Sequence, residues 1–174
     1  SSLYALLQNK GSDGLISLRE AIIAANNSTN GSGGADRILF GIAGTGEHLI
    51  NLEAALPAIT DAVILDASTD DSFAANGNAP AIVLDSSGQS GAEVLRLSST
   101  ADGSTIRGLA IWSFSNTGIQ IDASSDGNTI AGNYIGQLTT SGIDAGAVEK
   151  NSGFGLYVGG ARNVIGGLAA ADRN

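Results

Sequence analysis

Apolar and polar positions alternate in short runs through most of this chain. "LRL" at 95–97, "IQI" at 119–121 and "LYV" at 156–158 each put two aliphatic residues on one side and one other residue between them. Alternation with a period of two over so few residues predicts a short β-strand with one buried face. Upstream, "RILFGI", "HLINL", "AVILDAS" and "AIVLDSS" read as strands of a looser kind. Gly, Asn, Asp and Ser separate the runs, as turns require.

The runs repeat. "EVLRLSSTADGSTIRGLAI" from Glu93 and "TGIQIDASSDGNTIAGNYI" from Thr117 align without a gap, with Leu95 on Ile119, Leu97 on Ile121, Thr105 on Thr129, Ile106 on Ile130, Gly108 on Gly132 and Ile111 on Ile135. The offset is a constant 24 residues. A third copy, "GLYVGGARNVIGG" from Gly155, sets Leu156 and Val158 against Ile119 and Ile121, and Val164 and Ile165 against Thr129 and Ile130. One copy cannot bury its apolar face alone, but stacked copies can. Three short strands per repeat of this length predict a parallel β-helix, a coil of rungs with aliphatic ladders inside. A β-propeller would need a repeat of about 40 residues, and a leucine-rich repeat a recurring consensus, and neither fits as well. The loops at 28–36 and 68–80 read as excursions from the coil. An insertion at 137–153 interrupts the repeat between its second and third copies. It reads equally as a recognition loop or as a tolerated insertion.

One segment departs from this pattern. "SLREAIIAANN" at 17–27 has the helical period, with Leu18, Ala21, Ile22 and Ala25 on one face. Ser17 followed by Glu20 is a capping box, each side chain serving the other residue's amide. An open β-helix end exposes an apolar interior and unpaired edges. A short amphipathic helix laid over the first rung covers both, so this helix is expected to be a lid.

At these residues the chain resembles the CSLREAI domain, a bacterial family of large secreted and cell-surface proteins with right-handed parallel β-helix repeats of the pectin-lyase-like superfamily. The resemblance rests on "SLREAIIAAN" at 17–26, "DRILFGIAGTGEHLINLEAALPAIT" at 36–60, "STIRGLAI" at 104–111 and "NTIAGNYIG" at 128–136. Ile16 stands where the family name has cysteine, which removes a thiol but not the helix. The resemblance implies an all-β fold, a right-handed parallel β-helix with an N-terminal capping α-helix. It also implies an extracellular or cell-surface location and an architectural or adhesive role, and it brings no catalytic residue. The expected organisation is one domain over 1–174, with the capping helix at 17–27, rungs at 36–174 and the insertion at 137–153. With zero Met, not even an initiator is present, so a processed or excised piece of a longer protein is expected.

Composition narrows the partners. Charged residues make up only 14%, against the roughly 25% usual in soluble domains. A net charge of −9 with eight Lys and Arg leaves no basic surface for a phosphate backbone, so nucleic acid is not an expected partner. No apolar run reaches the roughly 18 residues of a membrane span. Zero Cys removes disulfides, thiolate metal sites and a thiol nucleophile. No cofactor or metal is expected, and no calcium-stacking GGxGxD repeat occurs.

The candidate chemistry is spread out. Asp66, Asp85 and Asp122 each end a strand, and read either as carboxylates gathered for calcium or acid and base work, or as turn residues. Their spacings of 19 and 37 residues do not match one repeat, which favours turns. Asp70-Asp71 is similar to the adjacent aspartates of β-helix glycoside hydrolases, but no Gly-His-Gly or Arg-x-Lys accompanies it. The sole histidine, His48, reads as a strand-end surface residue. The two lysines, Lys10 and Lys150, fall in loops. Asn116, Asn128, Asn133 and Asn163 sit at turns and are expected to form a structural ladder. Alternation turns Arg96, Gln120 and Tyr157 outward in consecutive rungs, a row that can hold a sugar by stacking and bidentate hydrogen bonds, or serve simply as a solvent face. Trp112 and Tyr134 turn outward on another face.

The expected function is therefore a non-enzymatic structural or adhesive segment, with a polysaccharide or cell-surface glycan as the ligand of the Arg96, Gln120 and Tyr157 row. The alternative is a polysaccharide lyase or glycoside hydrolase, which would need a groove of carboxylates beside Arg96 or Arg107. The repeat still runs at "ADRN", so an exposed last rung and end-to-end association through it are also expected.

Overall fold

The computed structural model describes residues 14–136, 138–144, 146 and 151–174. Lys10 and Lys150 lie outside them. Among the described residues, twelve strands of two to five residues form three sheets, all parallel. Strands this short gain little alone, and stacking supplies the hydrogen bonds and the burial.

The first sheet stacks β1 (Asp36–Leu39), β3 (Val63–Asp66), β6 (Thr105–Arg107), β9 (Thr129–Ala131) and β12 (Val164–Ile165). The second stacks β2 (His48–Asn51), β4 (Ile82–Asp85), β7 (Leu109–Trp112) and β10 (Tyr134–Ile135). The third stacks β5 (Leu95–Leu97), β8 (Thr117–Ile121) and β11 (Phe154–Val158), and Ile59 extends it by pairing with Leu97. The chain visits the sheets in turn, so each circuit is one rung. This is the parallel β-helix that the alternation predicts.

The registers reproduce the sequence alignment. Leu95 pairs with Ile119 and Leu97 with Ile121, Thr105 with Thr129 and Ile106 with Ile130, and Ile111 with Ile135. The third copy follows, with Leu156 on Ile119, Val158 on Ile121, Val164 on Thr129 and Ile165 on Ile130. Because β-side chains alternate between faces, this register puts every repeat aliphatic on the inside at once. Ile38, Leu65, Ile106 and Ile130 form one buried ladder, Leu84 and Ile111 another, and Leu95 and Ile119 a third, all in one continuous core. Each such side chain gains about 1.5–3 kcal/mol from burial, against the entropy of ordering it.

The corners carry a second kind of ladder, built from side-chain oxygens. The Val63 amide donates to Ser104 Oγ at 3.1 Å, the Ser104 amide to Asn128 Oδ1 at 2.9 Å, and the Asn128 amide to Asn163 Oδ1 at 2.8 Å. At the next corner the Leu109 amide donates to Asn133 Oδ1 at 3.1 Å and the Asn133 amide to Asn174 Oδ1 at 3.0 Å. Main-chain N–H groups that point along the coil where no strand pairs them are thus each met one rung on. Asn128 and Asn133 are wholly buried, so the expected asparagine ladder is structural. Asn116 differs, bonding Gly91 O and Glu93 Oε1 at a more exposed turn. Gly108 marks where the repeat needs glycine. Its φ is 77°, and a Cβ there would lie 2.5 Å from the Ser68 amide nitrogen.

The lid is present as α1 (Leu18–Asn26), with Ser17 and Asn27 as its caps and the capping box formed. Leu18, Ala21, Ile22 and Ala25 all join the core. Polar ties fix it to the third side of the first rung: Arg19 Nη2 donates to Ala54 O and Asn26 Nδ2 to Ala58 O, both at 2.8 Å, while the Thr60 amide donates to Asn26 Oδ1. At the other end no described rung stacks on Val158 and Ile165, which are 42% and 46% exposed although their register faces them inward. No helix among the described residues is long and apolar enough to cross a membrane.

Candidate functional site

The outer face of the third sheet brings together what the alternation predicts. Arg96 pairs in register with Gln120, and Gln120 with Tyr157. Their neighbours at Leu95, Leu97, Ile119 and Ile121 are buried, so the three side chains stand on the opposite, outward face. Tyr157 is half exposed and Arg96 exposed, with Gln120 partly buried between them.

The structure adds Asp122 to this row. Arg96 donates to it from Nε, at 3.1 Å to Oδ1 and 3.0 Å to Oδ2, and from Nη2, at 2.8 Å to Oδ2. Gln120 Nε2 donates to Asp122 Oδ1 at 2.8 Å. The Arg96 hydrogen bonds, with that of Gln120, hold the Asp122 carboxyl below its ordinary value although burial opposes them. Asp122 in turn holds Arg96 protonated, with a smaller contribution from Glu93. The sequence offers Asp122 as a gathered carboxylate or as a turn residue, and neither reading makes it the partner of Arg96. The signal for its role was available, since it lies two residues past Gln120, the diagonal neighbour of Arg96 on the same face.

Asp66 and Asp85 serve turns instead. Asp66 accepts from the Ser68 amide and hydroxyl, and Asp85 from the Ser87 amide and hydroxyl. Asp66 and Asp85 end strands of the first and second sheets and Asp122 directly follows a strand of the third, so the coil sends them to three different faces. Among the described residues no group of three His, Cys, Asp or Glu is placed to hold a metal ion. Arg107 lies on the first sheet and pairs with Asp172 at 2.9 Å, away from Arg96.

Asp70 and His48 depart from the sequence reading. Asp70 is the N-cap of a short helix, α2 (Asp71–Ala75), and its buried carboxylate accepts from the Ser72 amide, the Ser72 hydroxyl and, at 2.8 Å, the Ile42 amide. It does at its corner what Asn133 does further on. Burial pushes this carboxyl up, but the hydrogen bonds from Ser72 and Ile42, with the nearby His48, bring it below its usual value. Asp71 is exposed, so the two do not act as a pair. His48 is not a surface residue. It opens β2 in register with the core residue Ile82, its side chain is 13% exposed, and its Nε2 lies 3.8 Å from Asp70 Oδ1 with no hydrogen bond.

Trp112 and Tyr134 face outward on the second sheet but do not form an open platform. Residues 138–144 fold back over them as a hairpin, in which Leu138 bridges Asp144 and the Thr139 amide donates to Ile143 O. Trp112 Nε1 donates to Leu138 O and Asn76 Nδ2 to Thr140 O, both at 2.7 Å, and Thr140 Oγ1 to Glu47 Oε2 at 3.1 Å. Residues 138–144 are a strap running from the fourth rung back to the first. Beneath it lies a cleft of about 280 Å³ lined by Glu47, Ser72, Asn76 and Thr140 among others.

Comparison with known proteins identifies nothing further. No family model, no curated protein and no solved structure matches this chain. The functional reading therefore rests on the residues themselves.

Proposed function

We propose that this chain is a non-enzymatic β-helix segment of a secreted or cell-surface protein of the CSLREAI type, and that it contacts a glycan along the outer face of its third sheet. The observation that carries the reading is the register of Arg96, Gln120 and Tyr157, locked on one side by Asp122. A rigid row of amide, guanidinium and exposed phenol suits a ligand that offers hydroxyls to hydrogen-bond and a ring face to stack. The coil is a stiff support, and residues held on strands keep their spacing better than residues on loops. The resemblance at 17–26 and 36–60 supports the family and the location.

The scaffold reading is favoured over a lyase or hydrolase by the placement of the charged groups. Arg96 and Arg107 each meet one aspartate, on different sheets, and the strand-ending carboxylates diverge. A glycosidase needs two carboxylates flanking one bond. The test is incubation with a panel of neutral and acidic polysaccharides, with and without calcium, reading new reducing ends and unsaturated products beside retention on the same polymers. Retention by at least one polymer, without products from any, is expected. Products from any polymer would replace the scaffold reading with the enzymatic one.

A further inference from the structure

We infer that the row on the third sheet takes a neutral, hydroxyl-rich glycan rather than a uronic-acid polymer, because Asp122 cancels the charge of Arg96. The inference rests on the reading that this face is the glycan contact, and it names the class of ligand.

An exposed arginine on a β-helix would ordinarily suit carboxylate sugars, since the guanidinium fork matches a carboxylate's two oxygens. Here the Nε and Nη2 side of that fork is already occupied, and its charge is offset by the aspartate that occupies it. Both Arg96 Nε and Nη2 are spent on Asp122, so no second carboxylate can approach by that edge. Asp122 is itself saturated by Arg96 and Gln120, so it offers no strong free acceptor for a cation. Arg96 Nη1 and Gln120 Oε1 remain as donor and acceptor beside the phenol of Tyr157. Such a set pairs with hydroxyls, which donate and accept.

The surrounding field points the same way. Glu93 acts on Arg96 as a second negative neighbour, so the row carries more negative than positive charge. The whole chain carries −9, and a polyanion approaching it meets repulsion before any contact forms. The row spans two steps of strand spacing, roughly 10 Å from Arg96 to Tyr157, enough for neighbouring sugar units along one strand of polymer.

The experiment is affinity electrophoresis of the folded chain through gels containing dextran or β-glucan as neutral probes and polygalacturonate or alginate as acidic ones, at low and moderate salt. The wild-type chain is expected to be retarded by a neutral polymer and not by the acidic ones. Asp122→Ala frees the guanidinium and is expected to raise affinity for an acidic polymer about tenfold, the range of one charge-assisted hydrogen bond, with the gain lost in salt. Asp122→Asn removes the charge while keeping an acceptor for Gln120, and serves if the alanine variant fails to fold by circular dichroism. Stronger wild-type retention on polyuronates would overturn the inference and leave the glycan contact standing. No acidic gain in either folded variant overturns it as well. A folded wild-type chain that no polymer retards sinks the glycan contact itself, and the inference with it.

Discussion

Asn128→Ala is the perturbation that the corner ladder makes quantitative. Asn128 is wholly buried, and its Oδ1 accepts the Ser104 amide at 2.9 Å while its Nδ2 donates to Asn163 Oδ1 at 2.9 Å and to Ser125 Oγ at 3.0 Å. Ser104 is also wholly buried, so no water replaces the lost acceptor. One orphaned buried amide costs about 1–3 kcal/mol, and each of the two lost bonds from Nδ2 about 1 kcal/mol, so the variant is expected to lose about 3–5 kcal/mol. That is a large part of the roughly 5–15 kcal/mol that holds a domain folded. Urea denaturation followed by far-UV circular dichroism reads it as a fall of about 1–2 M in midpoint at unchanged slope. Asn128→Asp at pH 7 is expected to do no better, because its second oxygen would face Asn163 Oδ1. Asn116→Ala, at a more exposed turn, is expected to lose under about 1 kcal/mol. A loss below about 0.5 kcal/mol for Asn128→Ala would refute the claim that side-chain oxygens complete the rungs.

Two further outcomes follow from the same geometry. The Asp70 and Asp122 carboxyls are both lowered in the fold, so their contribution is fully present above the unfolded carboxylate value near 3.9 and is lost as pH falls through the lower folded values. Midpoints are therefore expected to hold steady above about pH 5 and to fall in acid below about pH 4. Asp70→Asn should flatten that acid limb, and an unchanged limb would count against the buried carboxylate. Deleting residues 138–150 leaves five residues between β10 and β11, where the rung before makes the same connection with four. The coil is expected to stay folded while Trp112 fluorescence shifts to the red, since its indole loses its cover. A chain that unfolds on this deletion would show that the strap is part of the core.

The rungs were legible because the repeat and the alternation say the same thing. Once Ile106 aligns with Ile130 at a fixed offset, the register and the buried face follow together. The lid was legible for a local reason, since the capping box of Ser17 and Glu20 and the apolar face of the helix lie within nine residues. What escaped were contacts between residues far apart in sequence whose spacing follows no rung period. His48 and Asp70 meet across a corner that the 68–80 excursion lengthens. Thr140 reaches Glu47 over 93 residues because residues 138–144 fold backward along the coil. Asp122 lay between these cases, since a diagonal partner of Arg96 is readable from the 24-residue period plus two, yet its turn-like "DAS" context hides it.

The most direct test of the account is an NMR titration of the labelled chain with a neutral oligosaccharide. The amide and side-chain signals of Arg96, Gln120 and Tyr157 are expected to shift together and saturably, with Asp122 beside them and the strap unaffected. Shifts confined to Glu47, Asn76 and Thr140, or no shifts at all, would contradict it.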